Sequence, residues 1–172
     1  MITAKPSSLL AKLLKRRNFT GLMELYEINY RLLNKLIADF TALQGSLVSR
    51  VNGSPDLHLH VEERSRFTTT LALTYHFETG DGGIVADPDL HIRIYHDARL
   101  AEAMSCQRQG REGGWALASG HARKRSDVDC RWESNLFLEK WLAYTLTQGH
   151  RFGSRAEDAA ETAASRAPLA TS

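Results

Sequence analysis

From Leu57 to Phe77 the chain alternates in steps of two, and no other feature limits the fold as much. Leu57, Leu59 and Val61 fall between Asp56, His58, His60 and Glu62. Phe67, Thr69, Leu71, Leu73, Tyr75 and Phe77 fall between Thr68, Thr70, Ala72, Thr74 and His76. Successive side chains of a strand point to opposite sides of a sheet, so each run is a half-buried strand with one oily face and one polar, histidine-bearing face. Together they predict a hairpin. A loop of Arg64, Ser65 and Arg66 pairs Glu63 with Phe67, Val61 with Thr69, Leu59 with Leu71 and Leu57 with Leu73, whereas a two-residue loop sets Leu71 beside His58 and mixes the faces. The three-residue loop asks one non-glycine residue to approach the left-handed region.

The same alternation returns after a glycine-rich stretch. Leu90, Ile92 and Ile94 alternate with His91, Arg93 and Tyr95, and Asp97 and Ala98 make a tight reversal into a fourth strand. Ile94 then meets Ala101, Ile92 meets Ala103 and Leu90 meets Ser105, while Arg93 faces Glu102 on the polar side. Residues 78 to 89, with Gly80, Asp81, Gly82, Gly83, Asp87 and Pro88, read as a solvated connection. Short strands are expected at residues 47 to 51 and, as an edge, at residues 115 to 118.

Two segments switch to helical spacing. Over residues 19 to 40, Leu22, Leu25, Tyr26, Asn29, Leu33, Leu36, Ile37 and Phe40 form one stripe, with Asn18 or Thr20 placed to cap the first turn. Asn29 lies on that stripe, where its amide needs hydrogen-bond partners in the core. Over residues 131 to 148, Leu138, Trp141, Leu142 and Thr145 form a strip that Phe137 and Tyr144 widen; Asp129 can cap it and Gly149 can end it. The fold class is therefore α+β: an antiparallel sheet of four or five strands covered by an N-terminal and a C-terminal helix.

A chain of 172 residues accommodates one core. Residues 1 to 17 form a basic leader, carrying Lys5, Lys12, Lys15, Arg16 and Arg17 around four leucines; residues 18 to 152 form the domain; residues 153 to 172 are a poorly ordered tail with little apolar area. Twenty-two Lys and Arg against twenty Asp and Glu leave +2, too balanced to name a partner by itself. No apolar run approaches the length of a membrane span and no secretory signal is evident, so the cytoplasm is the default address. The cationic stretch near Arg123, Lys124 and Arg125 lacks the stacking module of a nucleic-acid reader. Cys106 and Cys130 are too few for a disulfide framework and read as ordinary thiols.

The four segments “LMELYEINYRLLNKL” from Leu22, “VEERSRFTTTLALTYHF” from Val61, “PDLHIRIYHDARLAEAM” from Pro88 and “NLFLEKWLAYTLTQGH” from Asn135 resemble, in this order, the YqiB-like family of uncharacterised bacterial proteins. The resemblance covers about residues 19 to 152. Glu63, Arg66, Arg93, Tyr95, His96, Asp97 and the helix from Asn135 match the family's characteristic segments. Between Arg108 and Val128 the chain departs from it. The resemblance implies no activity, cofactor or substrate.

The residues themselves suggest three chemistries. Histidines could bind metal: His58 and His60 share a face, and His76 would pair with His91 if Phe77 met Leu90, with Asp81 or Asp87 adding oxygen. Hydrolysis would recruit His96 and Asp97 as base and orienter with Ser65 or Ser105 as nucleophile, or Glu63 and Asp97 as acid and base, although a turn-forming Asp97 explains that signal more simply. Binding asks least. Arg64, Arg66, Arg93 and Arg99 cluster near the hairpin ends, with His58, His60 and Tyr95 on the adjoining polar face, a set suited to an acidic protein or a small anionic ligand. No cofactor is implied, and a second copy of the chain could cover any sheet face that the helices leave bare.

Overall fold

A computed structural model of the chain describes residues 17 to 104 and 127 to 153. Its elements are helix α1 (Phe19–Leu36), strands β1 (Ser46–Ser49), β2 (Leu57–Arg64), β3 (Thr68–Glu78), β4 (Ile84–Ala86), β5 (Leu90–Tyr95) and β6 (Leu100–Ala103), and helix α2 (Asp127–Thr147). The sheet is antiparallel throughout, in the order β1-β2-β3-β5-β6, with β4 pairing only to the far end of β3. The expected α+β architecture holds, with six strands among the described residues where four or five were expected. The leader through residue 16, the strand expected at residues 115 to 118 and the tail from residue 154 lie outside the described residues, as do Ser105 and Cys106.

The faces follow the alternation. Leu57, Leu59, Leu71, Leu73, Ile92, Ile94 and Ala101 are wholly buried beneath Leu33, Leu36, Ile37, Leu138 and Leu142 of the helical layer. The register between β2 and β3 differs from the expected one: Val61 faces Leu71, Leu59 faces Leu73 and Leu57 faces Tyr75. That is a shift of two residues, so every side chain keeps its face. A bulge between Val61 and Glu63 takes Glu62 out of the ladder and puts Glu63 opposite Thr70. Between β5 and β6 the pairs Ile92–Ala103, Arg93–Glu102 and Ile94–Ala101 are those expected. The left-handed non-glycine residue falls in this second turn, at Arg99 (φ 55°), not in the β2–β3 loop.

Asn18 caps α1 by accepting from the Gly21 N–H at 2.9 Å. The helix stops at Leu36, four residues short of the apolar stripe, because Ile37 turns extended and bridges Phe152. Phe40 is still buried, carried by the following loop. Asn29 is buried as expected, and its amide reaches both the main-chain and side-chain oxygens of Asn135 on α2, at 3.2 and 3.3 Å. The Asn135 side-chain oxygen also accepts from the Ala103 N–H at 2.8 Å, so one amide joins α2 to α1 and to β6. No cysteine is free among the described residues: Cys130 is disulfide-bonded, which corrects the reading of ordinary thiols. No helix among the described residues is long and apolar enough to cross a membrane.

Candidate functional site

Two turns come side by side at one end of the sheet, because Thr68 at the start of β3 pairs with Tyr95 at the end of β5. The His96 N–H donates to the Phe67 carbonyl at 2.9 Å and fixes the turns against each other. Arg64, Arg66 and Arg99 are all exposed there. Arg64 donates to the Leu43 carbonyl at 2.9 Å, and the Arg66 guanidinium lies 5.0 Å from the centre of the Phe67 ring. None of the three forms an ion pair among the described residues. Asp97 spends its carboxylate on the Ala98 N–H at 2.9 Å, and Asp39 accepts from Thr41.

His96 lies behind the arginines, its Nε2 2.8 Å from the Thr69 hydroxyl and its ring 5.6 Å from Phe40. Burial pushes its pKa below the ordinary value, the Arg64 charge pushes the same way, and Asp97 opposes both. The expected hydrolytic grouping does not assemble. Asp97 turns into its own loop, the Ser65 hydroxyl sits 2.6 Å from that of Thr68, and His96 meets Thr69. Glu63 is exposed, at its bulged place opposite Thr70.

Along the polar face the histidines separate. His58 stacks on His76 with ring centres 4.0 Å apart, and His60 places Nδ1 2.8 Å from the Ser46 hydroxyl. Leu90 pairs with Leu73 rather than with Phe77, so His91 lies opposite Ala72 and the expected His76–His91 metal pair does not form. His91 is instead held between Glu62, 2.8 Å from Nδ1, and Asp89, 3.2 Å from Nε2. Neither approach lies along a hydrogen-bond direction. The two carboxylates approach opposite sides of the ring, so a single ion cannot take all three groups, and no cluster suited to a metal occurs among the described residues.

Arg93 and Tyr95 belong to a different network. Arg93 Nε contacts the Thr70 hydroxyl at 3.5 Å, and the Tyr95 hydroxyl donates to Glu102 at 2.7 Å. Glu102 is buried and its second oxygen faces Arg131 of α2 at 3.4 Å, so the carboxylate pairs with that arginine although Arg93 is its cross-strand neighbour, as expected. Burial and the neighbouring Glu102 charge raise the Tyr26 hydroxyl to about 12. Tyr95, through Glu102 and Arg131, thus ties the sheet to α2, and Arg93 stays within the sheet, while Arg64, Arg66 and Arg99 remain outside.

The opposite end of β3 carries a pairing that the sequence does not announce. His150, wholly buried just past α2, places Nε2 3.1 Å from the Ser54 hydroxyl and Nδ1 3.1 Å from the Ser49 hydroxyl. Ser54 follows Gly53, whose φ of 82° closes the turn before β2. Ninety-six residues separate Ser54 from His150, and neither sits in a recognisable motif.

A family described as “Protein of unknown function (DUF1249)” matches residues 32–151. The chain belongs to this family. It is 29% identical over 133 residues to the “Uncharacterized protein YqiB” of Escherichia coli K12, covering 77% of this chain and 91% of that protein, and equally so to the protein of the same name from Escherichia coli O157:H7. No solved structure matches. The DUF1249 region takes in the whole sheet, both turns with their arginines, and the Ser54–His150 pair.

Proposed function

We propose that this DUF1249 protein is a cytoplasmic binding domain that takes an acidic protein segment or a small anionic ligand on its paired turns. The observation that carries the reading is the trio Arg64, Arg66 and Arg99: exposed on adjacent turns and in no ion pair among the described residues. Guanidinium groups offer forked donors that match carboxylate and phosphate oxygens, and a group in no ion pair has no carboxylate to release on binding; Arg64 keeps further N–H donors beyond the one on the Leu43 carbonyl. Phe67, 52% exposed beneath Arg66, adds an apolar contact of the kind an acidic peptide uses alongside its charges. His60, and beyond it His58, extend the surface along the polar face, while Tyr95 ties the end of β5 to α2 through Glu102 and Arg131.

The test is a calorimetric titration of the full chain with a hexaglutamate peptide and with inorganic pyrophosphate, which separates a protein-like partner from a small anion. Saturable binding of either probe, weakened at least about tenfold by the Arg66→Ala, Arg99→Ala pair, is the expected result. Absence of saturation with both probes, or affinity indifferent to both substitutions, overturns the reading.

A further inference from the structure

The distal pair, Ser54 with His150, goes beyond a binding role. We infer that Ser54, His150 and Tyr75 form a serine acyl-transfer site for small esters with an apolar acyl group. Three features carry this.

The first is a nucleophile and a base in the right relation. Ser54 is half-buried on a tight turn, its N–H bonded to the Val51 carbonyl, and its hydroxyl lies 3.1 Å from His150 Nε2. The second is the orientation of the base. Ser49 Oγ lies 3.1 Å from His150 Nδ1 and accepts from the Arg151 N–H at 3.2 Å. The Ser49 oxygen has a second lone pair beside the one that accepts from Arg151, so it can also accept from a hydrogen on Nδ1, the tautomer that leaves the Nε2 lone pair facing Ser54. Burial keeps the ring below its ordinary pKa, against smaller opposing effects from Ser49 and Asp56, so the neutral, basic form prevails at neutral pH.

The third is a buried donor beside the pair. Tyr75 is 5% exposed, and its hydroxyl is buried with the Ser54 hydroxyl as its polar neighbour, too loosely placed for a well-formed hydrogen bond but close enough to lower the phenol pKa against the effect of burial. Its ring centre is 5.8 Å from that of His150. A buried phenol hydroxyl so loosely held has a proton that a better acceptor could draw to itself. A developing oxyanion would do so. Trp141, with its ring 5.5 Å from Tyr75, and Phe77, at 6.3 Å and 43% exposed, are apolar neighbours that suit an acyl chain.

In the reaction, Ser54 Oγ forms a bond to the ester carbonyl carbon as its proton passes to His150 Nε2. The carbonyl electron pair moves onto oxygen, where the Tyr75 hydroxyl donates to it. The pair returns, the bond to the alkoxy oxygen breaks, and His150 protonates the departing alcohol. Water then repeats these steps on the acyl-serine, releasing the carboxylic acid and restoring Ser54. Ser49 acts as a positioning residue, through the ring it holds.

The experiment treats the full chain with p-nitrophenyl butyrate and with an alkyl fluorophosphonate, reading p-nitrophenol release and adduct mass by peptide. One phosphonate per chain at Ser54 is expected, with Ser54→Ala abolishing both signals. His150→Gln should slow labelling about 10²- to 10⁴-fold, and Tyr75→Phe should lower kcat by about 10- to 10³-fold with little change in KM. Ser49→Ala should leave a folded protein whose labelling rate shows a displaced pH profile, which keeps the base testable if His150→Gln does not fold. The Arg66→Ala, Arg99→Ala pair should leave labelling unchanged, so failure here and failure of the binding reading are separable. A wild-type chain unlabelled at Ser54, or ester hydrolysis that survives Ser54→Ala, overturns the proposal. So does His150→Gln lowering thermal stability without altering the labelling rate, since that assigns His150 a purely structural tie.

Discussion

Truncating Asn135 strips partners from three places at once: the Asn29 amide, the Ala103 N–H and the end of its own bond to the Arg131 carbonyl. The Ala103 N–H is left buried without its acceptor, whereas the Asn29 amide keeps the Asn135 main-chain oxygen; an unsatisfied buried polar group costs about 1 to 3 kcal/mol, so Asn135→Ala should lower unfolding stability by about 1 to 3 kcal/mol in a urea titration. Arg99 behaves oppositely. A side chain in the left-handed region costs about 1 to 2 kcal/mol relative to glycine, partly offset by the greater freedom of an unfolded glycine. Arg99→Gly should therefore raise the urea midpoint slightly while weakening hexaglutamate binding, separating stability from function at one position. The two buried histidines set a pH response. His96 and His150 both have folded pKa values below those of the unfolded chain, so the unfolded state binds more protons in between. Their contribution is complete above an unfolded pKa of about 6.5 and is lost as pH falls toward the folded values. Melting temperature should drop on acidification from pH 7.5 to 5.5, and His96→Gln should flatten part of that slope.

At the scale of elements, what is legible in the sequence is direction. Parity alone decides which side of a strand a residue faces, so the inward set Leu59, Leu71 and Ile92 is readable without any knowledge of pairing. Register is less readable, because sliding β3 by two residues leaves the oily pattern intact, and the bulge at Glu62 is marked by no special residue. The β5–β6 register is readable because a short reversal leaves one arrangement that sets small Ala101 and Ala103 against Ile94 and Ile92. Strand β4 escapes notice: three residues, Ile84 to Ala86, give too short an alternation to stand out among glycines and aspartates. Of the candidate residues, the turn arginines are legible as a group because both turns are local, whereas Ser54 and His150 meet only through the closure of the whole fold. Leu71, central on β3 and wholly buried, tests the layer itself. Leu71→Ala should cost about 2 to 5 kcal/mol by chemical denaturation, and Thr68→Ala, on the polar face of the same strand, far less.

Across the whole molecule, charge is distributed along β3. Arg64, Arg66 and Arg99 surround its start, while Glu78, Asp81, Asp87 and Asp89 surround its end, where no Lys or Arg occurs from residue 76 to 90. Ten residues at about 3.4 Å each put these groups roughly 34 Å apart, several screening lengths at physiological salt. Each end is thus sensed separately, and binding of hexaglutamate at the arginine end should weaken markedly between 50 and 300 mM salt, roughly in proportion to the contacts screened. The last described segment has a further effect on the molecule as a whole. Phe152 donates to the Leu36 carbonyl and accepts from the Ala38 N–H, at 2.7 and 3.0 Å, while His150 and Arg151 reach Ser49. The exit of α1 and the edge of β1 are therefore finished by residues made more than a hundred positions later. A nascent chain emerging from the ribosome carries these seams open until residues 150 to 152 are free to dock, so their emergence, rather than the appearance of the first helix, sets when the domain becomes resistant to proteolysis.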